Sequence, residues 1–307
     1  MDLADRDGVI WMDGDMVPWR EATVHVLTHT LHYGMGVFEG IRAYKTASGK
    51  TAAFRLNAHI DRLYDSAHIL GMTVPYERQV ILDVCAEIIR QNGFEEAYVR
   101  PMCYFGSEGL GLHADKLKVH AMVASWEWGA YLGEEALTQG IRIKTSSYTR
   151  YHSNSVMCKA KANGNYLNSI LALQEAMASG YDEALILDAQ GFVAEGSGEN
   201  FFIVSNGTIL TPELTAALDG ITRDSVITLA REAGYRVEEK RITRDEVYIA
   251  DEAFFTGTAA EVTPIRELDD RCIGTGSMGP VTKELQSLFF DQVRGKRREH
   301  AEWLSEI

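Results

Sequence analysis

Short apolar-rich runs broken by turn residues open the chain. Val9 to Val17 predicts two strands around Asp13-Gly14-Asp15, and Gly40 to Tyr44 with Thr51 to Phe54 predicts a second hairpin across Ser48-Gly49. From Asn57 the spacing changes. Ile60, Leu63, Tyr64, Ala67 and Leu70 fall on one helical face, which predicts a helix capped by Asn57 and ended by Gly71. A second helix follows from Arg78 to Gln91, closed by Asn92-Gly93, and then strands from Ala97 to Phe105 and Lys118 to Trp126. The stretch Trp126-Glu-Trp-Gly-Ala-Tyr-Leu-Gly133 mixes aromatics with glycines, and after it the succession of strand and helix begins afresh. A small N-terminal α/β domain over 1–126, a linker over 127–135 and a larger C-terminal domain over 136–307 are therefore expected. The second domain should hold strand Ile141 to Ser146, helix Asn165 to Ser179, hairpin Ala184 to Val193 and strand Asn200 to Val204. Helices Thr222 to Ala233 and Val281 to Gly295 complete it, and the class is α+β with mixed α/β character.

Composition narrows the functions this pattern can serve. With 307 residues, 46% hydrophobic and 24% charged, the chain is long enough for two packed cores. Its net charge of -14 repels nucleic-acid backbones and anionic lipid, so neither is an expected partner. The basic run Arg294, Lys296, Arg297, Arg298 alternates with acids and reads as a solvated helix face. Met1 to Asp7 lacks the apolar core of a secretory signal, and no uncharged apolar run approaches membrane-spanning length. A cytoplasmic protein is expected. Cys85, Cys103, Cys158 and Cys272 form no CxxC pair, so reduced thiols are expected rather than a zinc site or a disulfide framework.

Several motifs carry little. Gly274-Thr-Gly276-Ser-Met-Gly279 matches a dinucleotide fingerprint in letters, but only 28 residues follow it, too few for the required βαβ unit. It reads as a turn feeding the C-terminal helix. His25, His29 and His32 lack the glutamate of a zinc helix and a third ligand, so they read as packed or hydrogen-bonded, and no metal is expected. Gly196-Ser-Gly198 is not the elbow of a hydrolase. More informative is Cys158-Lys159-Ala-Lys161-Ala-Asn-Gly-Asn-Tyr166, where small and apolar neighbours surround two lysines. Partial burial lowers an amine's pKa and makes it a nucleophile for Schiff-base formation. Glu195 lies in a glycine-rich run where backbone can approach a flat ligand and a carboxylate can face a pyridinium nitrogen. Gly220-Ile-Thr222 opens a helix and Thr256-Gly-Thr258 lies in a turn, and both offer backbone N–H groups suited to phosphate.

Eight runs in order complete the reading: Leu31-His-Tyr-Gly34, Val37-Phe-Glu-Gly-Ile-Arg42, Tyr98-Val-Arg-Pro101, Trp128-Gly-Ala-Tyr-Leu-Gly133, Lys161 through Tyr166, Glu195 through Asn200, Gly220 through Asp224, and Gly257-Thr-Ala-Ala-Glu261. Through them the chain resembles branched-chain amino acid aminotransferases, enzymes of the fold-type IV, D-amino acid aminotransferase-like fold that use pyridoxal 5′-phosphate. The resemblance implies that Lys161 forms the Schiff base and carries the proton between substrate Cα and cofactor. It implies that Glu195 pairs with the pyridine nitrogen and Tyr166 with the 3′ oxygen. The phosphate would rest against Arg62, the backbone of Ile221 and Thr222, and Thr258. Periodicity alone makes Arg62 a solvated residue, because Asp61, Arg62, Asp65 and Ser66 share the polar side of their helix. Tyr33, Phe38, Tyr98, Arg100, Tyr131, Thr258 and Ala259 would surround the substrate, with Tyr33 reaching across from a neighbouring subunit of a homo-oligomer. In an extended segment Lys159 and Lys161 share a face, so spacing does not choose between them. The Lys-Ala-x-Gly-Asn-Tyr register selects Lys161, and Lys159 stands where relatives often have a small residue. The loop Ser107 to Ala114 also differs from some relatives. A D-amino acid or (R)-amine transaminase, an aminodeoxychorismate lyase, and a cofactor-free binding protein on the same scaffold are the alternatives. The Phe-Glu-Gly-Ile-Arg and Tyr-Val-Arg-Pro runs favour the branched-chain reading.

Overall fold

Residues 2–129 and 133–307 are described by the structure, a computed structural model. The chain divides into two compact units, and not at a single cut: residues 1–128, 160–165 and 293–307 form the first, and 129–159 with 166–292 form the second. The first crossing lies close to the expected linker. The two returning segments have a physical cause that the linear pattern does not display, since each is tied into the first unit by backbone pairing.

In the first unit the opening hairpin is β1 (Val9–Met12) and β2 (Asp15–Pro18), turned at Asp13 and Gly14, both with positive φ. A short helix α1 (His29–Tyr33) precedes β3 (Gly36–Phe38), β4 (Ile41–Lys45) and β5 (Thr51–Phe54). Helices α2 (Leu56–Ile69) and α3 (Arg78–Asn92) come next, then β6 (Ala97–Phe105) and β7 (Val119–Trp126). Ile60, Leu63 and Ala67 of α2 and Ile81, Cys85 and Ile88 of α3 join Val37, Ile41, Val99 and Val123 of the strands in one core. The expected cap of α2 is corrected. Arg55, with φ of 53°, precedes the helix, and the Asn57 side chain instead accepts a bond from Arg78 at 3.0 Å.

The second unit runs through α4 (Glu134–Gln139), β8 (Ile141–Thr145), α5 (Tyr166–Ala178), β9 (Glu183–Leu187) and β10 (Val193–Glu195). It continues with β11 (Asn200–Ser205), β12 (Thr208–Thr211), α6 (Ile221–Glu232), β13 (Arg236–Glu239) and α7 (Arg244–Tyr248). β14 (Glu252–Gly257), β15 (Glu261–Leu268), β16 (Arg271–Cys272) and α8 (Pro280–Val293) close it. Among the described residues its strands form a mixed sheet in the order β10-β9-β8-β15-β14-β11-β12-β13, with β16 beside β15. Phe201, Ile203, Phe255, Ile265 and Leu185 fill its core. The glycine motif 274–279 is the turn before α8, as expected. Because α8 ends at Val293, the basic run 294–298 lies beyond the helix rather than on its face. The last strand, β17 (Leu304–Glu306), returns to pair antiparallel with β5, completing the antiparallel sheet β17-β5-β4-β6-β7-β1-β2, with β3 also on β6.

Candidate active site

Phe38, Glu39, Gly40 and Arg42 each have a separate task in the first unit. The Phe38 N–H donates to the Lys161 carbonyl at 3.1 Å, Lys161 N–H donates to Ser66 Oγ at 3.0 Å, and Ala162 bridges to Val37. These bonds fix the backbone of Lys161 on both sides and set its Nζ 5.2 Å from the centre of the Phe38 ring. Glu39 is fully buried and accepts from Arg62 Nε at 2.6 Å and Nη2 at 2.9 Å, and from His59 Nδ1 at 2.7 Å. Burial by itself raises a carboxyl pKa, but the Arg62 and His59 contacts together outweigh it and hold Glu39 well below the usual carboxylate range. Burial pushes His59 down, so at neutral pH it serves Glu39 as an uncharged N–H donor. Arg62 is therefore a half-buried ion-pair partner, not the solvated residue its helix pattern indicates. At Gly40 a Cβ would fall 1.8 Å from the Tyr98 hydroxyl, so only glycine fits there. Arg42 donates to the Trp128 carbonyl at 3.1 Å.

The same unit surrounds Arg100 with aromatic rings. Its guanidinium carbon lies 4.5 Å from the centre of Phe38, 5.3 Å from Tyr98 and 5.8 Å from Trp126. Nη2 donates to the Tyr98 hydroxyl at 3.3 Å, while the buried Nε makes no hydrogen bond among the described residues. Cation–π attraction holds the charge in apolar surroundings without consuming its donors. Tyr33 is 43% exposed on α1, with its ring 4.5 Å from that of His29. The three histidines take hydrogen bonds: His29 Nε2 meets the Gly111 carbonyl, His32 Nε2 the Val26 carbonyl, and His25 Nδ1 accepts from Leu27 N–H. Tyr131 lies outside the described residues.

In the second unit Asn200 joins three of the sequence runs. It pairs in register with Thr256 and donates to the Leu218 carbonyl at 3.0 Å, and a Cβ at Gly220 would strike its Oδ1 at 1.8 Å. The Glu195–Asn200 run, the approach to α6 and the Gly257–Ala259 turn are thus neighbours. Glu195, buried at the end of β10, has Oε1 2.9 Å from Arg150 Nε and Oε2 accepting from Leu218 N–H at 3.2 Å. The Arg150 contact is a charge pair rather than a hydrogen bond, because among the described residues that Nε makes no bond of acceptable angle. Arg150 is itself buried and fastened by Asn168 Oδ1, Ser169 Oγ and the Gly196 carbonyl. Ile221 and Thr222 begin α6, which has no side-chain N-cap. Thr258 and Ala259 are half-buried in the β14–β15 turn, and the preceding Thr256 Oγ1 is buried without a hydrogen bond among the described residues. Tyr166 opens α5, half-buried.

The two lysines part company. Lys159 lies in a turn, not an extended segment, and its Nζ donates to the carbonyls of Leu214 at 2.5 Å and Ala217 at 3.2 Å. Arg150 escaped the sequence reading because Tyr148-Thr-Arg-Tyr-His152 looks like any polar loop, and burial of an arginine has no local signature. Glu183 and Glu199 escaped it too. Both are buried close to Arg150; burial pushes Glu183 up to about 7, and burial with the charge of Glu183 pushes Glu199 well above the usual range.

The profile of the amino-transferase class IV family matches residues 36–268. The chain is similar to the branched-chain-amino-acid aminotransferase of Pseudomonas aeruginosa, 64% identical over 303 residues that cover 99% of this chain and 98% of the relative. It is similar in structure to the T.th. branched-chain amino acid aminotransferase with pyridoxamine 5′-phosphate, with a TM-score of 0.95 and 50% identity, covering 98% of each chain. The same T.th. enzyme complexed with N-(5′-phosphopyridoxyl)-L-glutamate gives a TM-score of 0.94 at 48% identity, again over 98% of each chain.

Proposed function

The chain belongs to the amino-transferase class IV family, and on that premise we propose that it exchanges the amino group between L-leucine, L-isoleucine or L-valine and 2-oxoglutarate with pyridoxal 5′-phosphate as cofactor. The observation that carries the substrate reading is the aromatic enclosure of Arg100. One pocket has to accept a branched apolar side chain and an acidic one, and a cation cushioned by rings, with a buried donor still available, serves both. Phe38 and Tyr98 give the apolar walls, with Tyr33, Tyr131, Thr258 and Ala259 as further substrate contacts.

The residues fit the cofactor by their chemistry. The uncapped start of α6 and the Thr256 hydroxyl, which has no hydrogen bond among the described residues, suit a phosphate, and the Glu195 carboxylate beside Arg150 suits a protonated ring nitrogen. Bound pyridoxal phosphate supplies a carbonyl that captures the amino group and a ring that accepts electrons. In this reading the backbone N–H groups of Ile221 and Thr222, with Thr258 and Arg62, hold the phosphate, and Tyr166 donates to the 3′ oxygen. Lys161 would be the covalent anchor, and its amine, once displaced by the substrate amine, would take the proton from substrate Cα and deliver it to cofactor C4′. An assay of the purified protein across L- and D-amino acids with 2-oxoglutarate tests the reaction; preference for D-substrates would refute it. Lys161→Ala should abolish turnover, and borohydride reduction followed by peptide mapping should place the pyridoxyl group on Lys161. Finding it on Lys159 would overturn the assignment.

Self-association belongs to the same reading. Val24, Leu31 and Tyr33 are exposed, and a groove of about 210 Å³ lined by Ile10, Val24, Leu31, Met102 and Met122 adjoins them, a surface a second copy would cover. Sedimentation equilibrium returning a monomer would refute this. A cytoplasmic location is supported by Cys85, Cys103 and Cys158, buried as free thiols, and no helix among the described residues is long and apolar enough to cross a membrane.

A further inference from the structure

Lys159 has no part in the reading above, yet its ammonium is committed to a specific segment. It donates to the carbonyls of Leu214 and Ala217, while the thiol of the adjacent Cys158 lies 3.4 Å from the carbonyl of Thr215. Two consecutive residues thus hold three carbonyls within four positions of the loop between β12 and α6. A loop without regular structure has its carbonyls unpaired by strand or helix, and a charged donor that gathers two of them restricts it more than neutral contacts do.

The far side of that loop faces the candidate chemistry. Leu218 N–H donates to Glu195 Oε2, the Leu218 carbonyl accepts from Asn200, and Gly220 rests against the Asn200 amide before α6 begins at Ile221. Residues 214–217 are held by Lys159 and Cys158, and 218–220 by Glu195 and Asn200, so the loop is fastened at both ends of a short span.

We propose that Lys159 is a positioning residue that clasps loop 213–220, fixing the Leu218 amide on Glu195 and the first amides of α6 in place for the cofactor phosphate. The inference rests on the cofactor reading given above and adds to it a residue that touches neither cofactor nor substrate. A clasp of this kind acts before the cofactor arrives, since it organises the loop in the cofactor-free enzyme. Cys158 adds a weaker contact from the same turn, so the ammonium carries most of the restraint.

The test uses full-length enzyme and the variants Lys159→Ala, Lys159→Met and Lys159→Arg. In the cofactor-free form, hydrogen exchange of a peptide covering 213–222 should quicken by about tenfold or more in the alanine and methionine variants, the scale of one lost charge-assisted hydrogen bond. The dissociation constant for pyridoxal phosphate should rise by a similar factor, about tenfold, while turnover at saturating cofactor falls far less. Lys159→Arg, which keeps a cationic donor, should restore both measurements toward wild type. Wild-type exchange in Lys159→Ala, or faster exchange with unchanged cofactor affinity, overturns the proposal. Methionine restoring both as well as arginine does would also overturn it, because then packing of the stem, not the ammonium, holds the loop. The underlying cofactor reading fails differently: a pyridoxyl group would remain attached in Lys161→Ala and be absent from Lys159→Ala.

Discussion

At the scale of single residues, the role proposed for Arg100 rests on surroundings that set it apart from an ordinary strand arginine. Tyr98 and Arg100 are two apart on β6, and a polar sheet face is all that spacing alone suggests. In the fold Arg100 lies among Phe38, Tyr98 and Trp126 with its Nε buried and unbonded. A carboxylate entering this enclosure gains a charged contact, and a branched side chain gains only ring surface. Arg100→Met should therefore lower kcat/KM for 2-oxoglutarate far more than for 4-methyl-2-oxopentanoate, by about 2–4 kcal/mol of transition-state stabilisation. Parallel losses for both keto acids would show that Arg100 holds their common carboxylate or the fold instead.

At the scale of elements, α2 is joined to the β3–β4 connection by a buried charge cluster. Glu39 brings a carboxylate into the core, and Arg62 and His59, both on α2, satisfy it. Removing one partner of a buried pair leaves the other charge uncompensated, which destabilises by roughly 3–5 kcal/mol. Arg62→Met should accordingly lower the melting temperature of the cofactor-free protein, quite apart from any loss of phosphate binding. Adding Glu39→Gln to that variant should recover part of the loss, because the neutral amide needs no counter-ion. If Arg62→Met melts like wild type without cofactor, Arg62 serves the phosphate alone.

For the whole molecule, two sets of buried acids make stability depend on pH with opposite signs. Glu39 titrates below its ordinary range in the folded state, so its contribution is present above that range and is lost on acidification. Glu183, raised to about 7 by burial, binds its proton more tightly when folded, and Glu199 behaves likewise. The contribution of Glu183 is full below the ordinary carboxylate range and is lost as pH rises through about 7, and that of Glu199 is likewise lost as pH rises above the ordinary range. Apo-enzyme melting temperature should thus fall relative to that of Glu183→Gln between about pH 5 and pH 8. Equal slopes in the two proteins would mean that Glu183 is ionised throughout.

Much of this protein was legible in one dimension because the relevant physics is local. Hairpin turns, the helical spacing of Ile60, Leu63 and Ala67, and the glycine stop at Gly93 act within a few residues, so the sequence by itself determined most strands and helices. The order of eight chemically sensible runs likewise determined the family and the lysine, glutamate and phosphate-site candidates. What only tertiary structure decided depends on partners far apart in the chain. The sequence does not show that Arg62 meets Glu39, that Arg150 holds Glu195, that Lys159 clasps carbonyls 214 and 217, or that β17 returns to β5. Burial and pairing are properties of the packed neighbourhood, and an arginine or lysine carries the same local pattern whether it faces water or a buried acid.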